Sequence, residues 1–134
     1  MDSDFKKFSA ALDCVCIDLA KKIVVDGEGA TKFIEIHVSG AASFAQAKTI
    51  AMKIANSNLV KTAAFGSNPN WGRVAAAVGS LGLKITEQDL KINFSSFKMK
   101  NITINVELNL GTFGATVYMS DLSYEYVRIN GEYN

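Results

Sequence analysis

Proline, tryptophan and histidine each occur once in the 134 residues, and cysteine twice. With one histidine and two cysteines two positions apart, no Cys/His cluster has metal-ligand spacing. His37 has no nucleophile elbow to serve, so a Ser/His/Asp triad is excluded as well. On a helix, Cys14 and Cys16 point to different faces and cannot join each other in a disulfide or metal clip. They are expected as small core or half-buried residues, the usual place of a free cysteine. No run approaches the ~20 apolar residues that span a bilayer. Met1 is followed by Asp-Ser-Asp where a secretory leader carries positive charge. Fourteen basic and thirteen acidic residues lie interspersed, giving a net charge of +1. No basic block points to nucleic acid, and no acidic tail points to a basic partner. Interleaved basic and aromatic residues that grip single strands are absent, and so are Gly-x-Gly-x-x-Gly and Walker A phosphate loops.

What is there is a pattern of periodic segments in a chain long enough for one domain, residues 1–134, with a substantial core. Phe5, Phe8, Leu12, Val15 and Leu19 recur at helical spacing after Ser3, the expected N-cap, and Lys21 and Lys22 suit the last turn. Asp26-Gly27-Glu28-Gly29 breaks that helix. Residues 31–39 alternate as a half-buried strand, with Gly40 ending it. Ser43 and Gln46 have capping-box spacing ahead of a helix whose apolar face is Phe44, Ala47, Ala51 and Ile54. Residues 59–65, mostly apolar, read as a short buried strand. After the turn-forming Gly66-Ser67-Asn68-Pro69-Asn70, a helix is predicted from Pro69 or Asn70 to about Ser80. Leu90, Ile92 and Phe94 alternate in one strand. Ile102 to Leu110 and Ala115 to Met119 alternate in two more, read as an antiparallel hairpin around Gly111 and Gly114. A short helix or turn starts near residue 121. The class is α+β, a mostly antiparallel sheet with helices packed on one face.

Four features carry chemistry or a bland equivalent. In Asp26-Gly27-Glu28-Gly29-Ala30-Thr31-Lys32, two glycines flank a carboxylate, letting backbone approach a ligand while Glu28 points into a site. A solvated turn reads equally well from that pattern, and is the commoner case. Gly66-Ser67-Asn68-Pro69-Asn70-Trp71-Gly72-Arg73 offers either an anion-binding helix start or a loop stapled by Trp71, with Arg73 satisfying carbonyls. His37 is a surface or satisfied histidine, since neither a partner nor a pocket is legible. The segment 126–134 has more order than a frayed end needs and is suited to dock on the body and complete a site.

Together these motifs resemble the bifunctional ornithine acetyltransferase / glutamate N-acetyltransferase family of arginine biosynthesis. The likeness rests on Asp26-Gly27-Glu28-Gly29-Ala30-Thr31-Lys32, on Ile54-Ala55-Asn56-Ser57-Asn58-Leu59-Val60-Lys61-Thr62-Ala63, and on Asn70-Trp71-Gly72-Arg73-Val74. It continues through Asp121-Leu122-Ser123 and Tyr126-Val127-Arg128-Ile129-Asn130-Gly131-Glu132-Tyr133, in order, across nearly the whole chain. The resemblance implies a precursor that cuts itself in two and frees an N-terminal threonine on its second, beta chain. That threonine moves acetyl from N2-acetylornithine to glutamate through an acetyl-enzyme, the terminal amine acting as local base. It implies a cytoplasmic enzyme, an alpha2-beta2 assembly with the alpha chain as partner, and no metal or bound cofactor, with acetyl-CoA as a possible acetyl donor.

The family's nucleophile, oxyanion-hole residues and a substrate-binding lysine lie upstream of the matched residues. This chain is therefore expected to be the C-terminal part of the beta chain, a fragment of the N-terminal-threonine-nucleophile fold and inactive alone, with Met1 an internal methionine or an artificial start. Two substrate-binding positions carry over. Glu28 matches the glutamate that binds the amino-acid part of the substrate, at its α-amino group, and Asn130 the asparagine that binds the other polar end. The family's C-terminal threonine would follow Asn134. Asn68 stands where the family usually has Asp, Asn58 where it has proline, and Met119-Ser120 where Gly-Cys is common. A related N-terminal-nucleophile aminopeptidase or amidohydrolase, and a non-catalytic assembly module, are the alternatives.

Overall fold

A computed structural model of the chain describes residues 2–132. Helix α1 spans Ser3–Val25, β1 Phe33–Ala41, α2 Phe44–Ala55, α3 Asn58–Phe65 and α4 Trp71–Gly79. A single 3-10 turn, Glu87–Asp89, leads into β2, Leu90–Phe94, followed by β3 Asn101–Leu108, β4 Phe113–Ser120 and α5 Tyr124–Gly131. The four strands form one sheet in the order β2-β3-β1-β4.

Two of the three pairings are antiparallel, and β1 and β3 run parallel. The hairpin expected of β3 and β4 is not formed, because β1 lies between them. Residues 109–112 instead cross the end of β1, where Leu110 and Gly111 both donate their N–H groups to the Gly40 carbonyl. Gly40 does not end its strand. It adopts φ +71° at an irregularity between Val38 and Ala41, and a Cβ there would lie 1.8 Å from the Leu108 oxygen.

Period-two alternation sorts the sheet into two faces. Ile34, Ile36 and Val38 of β1, Ile102, Ile104 and Val106 of β3, and Met119 of β4 point into the core. They meet Ala47, Ile50, Ala51 and Ile54 of α2, with Val60 and Ala64 of α3 and Val74 and Val78 of α4 behind. Phe44, expected on that inner face, is exposed, and Ile50 takes its place. The opposite sheet face carries Glu35, His37, Thr116 and Tyr118. There Lys21 bonds Glu35 at 3.0 Å and stands 5.0 Å from the Tyr118 ring centroid.

Residues 59–65 are not a strand but most of α3. The Ser57 hydroxyl accepts the Val60 N–H, starting a helix, and burial follows helical spacing at Val60, Ala63 and Ala64. The α4 helix begins after Pro69, because the Asn70 side chain accepts the Arg73 N–H at 3.1 Å and so caps it. Likewise Asp2, not Ser3, caps α1. Ser43 caps α2, while Gln46 reaches back to the N–H of Ala42.

Helix α1 lies uncovered. None of its residues is buried, and Phe5, Phe8, Leu12, Val15 and Leu19 form their stripe in the open. Cys14 and Cys16 are accordingly exposed rather than packed. Among the described residues, no helix is long and apolar enough to cross a membrane.

Candidate functional site

The two residues singled out as substrate-binding, Glu28 and Asn130, are 102 positions apart in sequence and meet in space. The Asn130 side-chain amide donates to Glu28 Oε2 at 3.2 Å and to the Tyr126 carbonyl at 2.9 Å. Both side chains are exposed, on an open surface between the 26–32 loop and α5. Helical spacing sets the second bond, since residues 126 and 130 lie one turn apart.

The loop that carries Glu28 is built from the Asp-Gly-Glu-Gly sequence. Asp26 closes α1, donating its N–H to the Lys22 carbonyl, and Ala30 donates to Gly27. Gly29 turns the chain at φ +65°, and a Cβ on it would stand 2.4 Å from the backbone nitrogen of Tyr126. Only glycine fits there. The loop and α5 therefore touch backbone to backbone, which brings Glu28 beside Asn130.

Asp121 and Ser123, just ahead of α5, are buried polar residues with full sets of partners. Asp121 Oδ1 accepts the N–H groups of Thr31 and Lys32 at 2.8 and 2.9 Å, and Oδ2 accepts the Thr31 hydroxyl at 2.5 Å. The Ser123 hydroxyl donates to the Gly29 carbonyl at 2.6 Å and accepts the Tyr126 N–H at 3.1 Å, capping α5. Beside them a cavity of about 290 Å³ is lined by Asn58, Lys61, Leu122 and Tyr126. Lys61, half-buried, donates its ammonium to the Ser120 carbonyl at 2.8 Å. Burial holds its pKa below the usual 10.5, against the opposing pull of the Asp121 charge. Composition and periodicity give no sign of Lys61 or of this anchoring. The Asp121-Leu122-Ser123 motif was visible, but its partners lie about 90 residues away.

The remaining predicted features are structural. Arg73 donates to the Leu59 carbonyl at 2.8 Å and the Thr62 hydroxyl at 3.2 Å, tying α4 to α3 without a carboxylate partner among the described residues. Trp71 is partly exposed beside an apolar groove bordered by Leu83 and Ile85. Lys32 of the signature donates to the Ser67 hydroxyl at 2.6 Å and to the Phe97 carbonyl, holding the 66–70 loop. His37 lies between the Thr116 hydroxyl, 2.9 Å from Nδ1, and Glu35 Oε2, 3.3 Å from Nε2, a satisfied polar chain across the strands. Arg128 pairs with Glu125 and Glu132 on the outer face of α5. Tyr133, Asn134 and the expected terminal threonine position lie outside the described residues.

Known proteins are similar to this chain in sequence and in fold. The arginine biosynthesis bifunctional protein ArgJ of Geobacter sulfurreducens is 45% identical over 95% of this chain and 38% of its own length. The glutamate N-acetyltransferase of Methanopyrus kandleri is 41% identical over 98% of this chain and 40% of its own. The chain thus spans well under half the length of these curated relatives. The crystal structure of ArgJ from Bacillus halodurans superposes with a TM-score of 0.91 at 36% identity, covering 98% of this chain and 72% of that one. The ArgJ family is matched over residues 1–100 and 95–134, and this chain belongs to the ArgJ family.

Proposed function

We propose that the chain is the C-terminal part of the second chain of an acetyltransferase that moves acetyl from N2-acetylornithine to glutamate. The nucleophilic threonine would come from a segment outside these residues, and the chain would supply one wall of the substrate pocket. The observation that carries this reading is the meeting of Glu28 and Asn130 at 3.2 Å. A carboxylate beside an amide offers an acceptor for a substrate ammonium and both donor and acceptor for its other polar end. Similarity to a glutamate N-acetyltransferase and to an arginine-biosynthesis protein supports acetyl transfer to glutamate, and the signature residues supply the positions.

The open stripe of α1 supports the companion reading, that the chain works as part of a larger enzyme with an alpha chain, in an alpha2-beta2 assembly. Eight large apolar side chains on this one helix are exposed, from Phe5 to Val25. Single exposed apolar residues are ordinary, but a continuous stripe marks a surface meant for cover. The reaction as proposed needs no metal or bound cofactor. Acetyl-CoA would enter as an acetyl donor, and the setting would be the cytoplasm.

The test is acetylornithine-to-glutamate transfer by the chain alone and by the chain mixed with the upstream segment of its family. No turnover alone and turnover in the mixture is the expected result, with Glu28→Gln and Asn130→Ala raising KM in the mixture. Turnover by the pure chain would overturn the wall-only reading. An assembled mixture that cleaves peptide amides and not acetylornithine would replace the acetyltransferase with an N-terminal-nucleophile aminopeptidase.

A further inference from the structure

The stretch 120–123 is the one place in the described fold where α3, the Glu28 loop and α5 are all tied to the same few residues. From α3, Lys61 holds it at two points: its ammonium bonds the Ser120 carbonyl at 2.8 Å, and its own carbonyl accepts the Leu122 N–H at 3.4 Å. On the loop side, Asp121 takes all three donors of Thr31 and Lys32 described above, while Ser123 takes the Gly29 carbonyl. The segment 29–32 is therefore clasped at both ends, directly after Glu28. On the helix side, the same Ser123 oxygen caps α5, which carries Asn130 about two turns further on. Phe65 of α3 packs edge-on against Tyr124 at 5.1 Å, seating the first turn of α5 on the same support.

The burial of the clasp contrasts with the exposure of what it holds. Asp121 is 4% and Ser123 2% exposed, whereas Glu28 and Asn130 face solvent and make one direct contact with each other. An exposed carboxylate–amide contact is too weak to fix its own geometry, since a net hydrogen bond contributes little once water competes. The separation of the two side chains must come from the backbone beneath them. A displacement of about 1 Å carries a hydrogen-bonding group out of range of its partner and so weakens its hold on the substrate.

We propose that Asp121 and Ser123 are positioning residues for the substrate, acting through Glu28 and Asn130 by fixing the distance between the loop and α5. The inference rests on the substrate-binding role given to that pair above. Neither residue touches substrate. Because the nucleophile sits on another segment, loosening the clasp spreads the binding wall without altering the acetyl-transfer step. Displacement of the clasp therefore appears in KM rather than in kcat.

Asparagine at position 121 separates geometry from charge. Its Oδ1 still accepts both backbone N–H groups, and its Nδ2 donates to the Thr31 hydroxyl, which turns to accept. The experiment compares Asp121→Ala, Asp121→Asn, Ser123→Ala and Thr31→Val in the chain assembled with its upstream segment. Tenfold or greater increases in KM for N2-acetylornithine are expected for Asp121→Ala and Ser123→Ala, with kcat within threefold. Asp121→Asn should restore KM to within threefold of the parent. A fall in kcat at unchanged KM, tracking loss of folded protein, would overturn the positioning role. Where Asp121→Ala does not fold, Ser123→Ala and the milder Thr31→Val carry the same comparison.

A second readout needs no turnover. In the 15N-labelled chain, Glu28→Gln should shift the Asn130 side-chain amide resonances in the parent and in Asp121→Asn, and leave them unmoved in Ser123→Ala. An equal shift in every background would overturn the proposal. If the parent assembly fails to turn over acetylornithine, the functional reading falls, and the amide response still decides whether the clasp sets the pair.

Discussion

Gly29→Ala tests the backbone contact on which the site depends. Gly29 sits at φ +65°, where an L side chain costs about 1–2 kcal/mol. The new Cβ would stand 2.4 Å from the Tyr126 nitrogen, 2.9 Å from its Cα and 3.0 Å from the Glu125 carbonyl carbon. Those are backbone atoms of the first turn of α5, not the yielding end of a side chain. Relief requires α5 to retreat by roughly 1 Å to reach ordinary contact distances. Such a retreat breaks the bond from Ser123 to the Gly29 carbonyl, and an unsatisfied buried polar group costs about 1–3 kcal/mol. Together these give a loss of about 2–5 kcal/mol. That is a large share of the 5–15 kcal/mol typical of a folded domain. The assay is urea denaturation followed by far-UV circular dichroism, with hydrogen exchange to locate the change. Amides of α5 should lose protection before those of β1 and β3. Gly79→Ala is the control, since a Cβ there meets nothing within 4 Å. In that helical setting alanine should be neutral or stabilising by about 0.5–1 kcal/mol. Equal stability of Gly29→Ala and the parent, with α5 still protected, would refute the reasoning.

Ile36→Ala removes a fully buried side chain from the central strand and should cost about 2–5 kcal/mol in the same denaturation assay, leaving the sheet intact but weaker. Arg73→Ala deletes two bonds that tie α4 to α3 and should lower stability by about 1 kcal/mol, without moving the Asn130 amide resonances. Phe8→Asp, on the open stripe of α1, should leave the midpoint of the isolated chain unchanged and reduce its self-association in light scattering. Lys61 binds its proton more weakly folded than unfolded. Stability should therefore rise as pH climbs through its lowered pKa towards 10.5, and Lys61→Met should flatten that rise in denaturation midpoints measured across the alkaline range.

The sequence revealed elements more readily than their neighbours. Alternation marked β1 to β4 correctly as strands, yet the glycine turn at Gly111 says nothing about whether a third strand fits in the gap. The close backbone crossing over Gly40 puts β1 there. At α3, a seven-residue apolar run carries no period by itself, and the decisive signal was Ser57 placed three residues before Val60. The stripe on α1 was legible as a stripe, but periodicity shows which residues share a face and not whether anything covers it. The flanking glycines marked Glu28 as a candidate, but the substrate-binding roles of Glu28 and Asn130 came from family resemblance. Nothing local to either residue announces a partner 102 positions away. The buried polar anchoring at Asp121 and Ser123 was equally hidden, since a carboxylate and a hydroxyl ahead of a helix are what any N-terminal cap presents.

Because α1 buries no residue, the core beneath the sheet does not depend on it. Its last turns alone are fastened, through Lys21 to Glu35. Most helical stability in proteins comes from tertiary packing, so the chain holds a weakly supported helix beside a cooperatively folded sheet. Heating the isolated chain should melt the helix from Ser3 toward Lys21 as a broad, early, non-cooperative loss of ellipticity, ahead of a sharp transition belonging to the sheet. A covering partner would merge the two into one, so the shape of the melting curve reports whether that stripe is occupied.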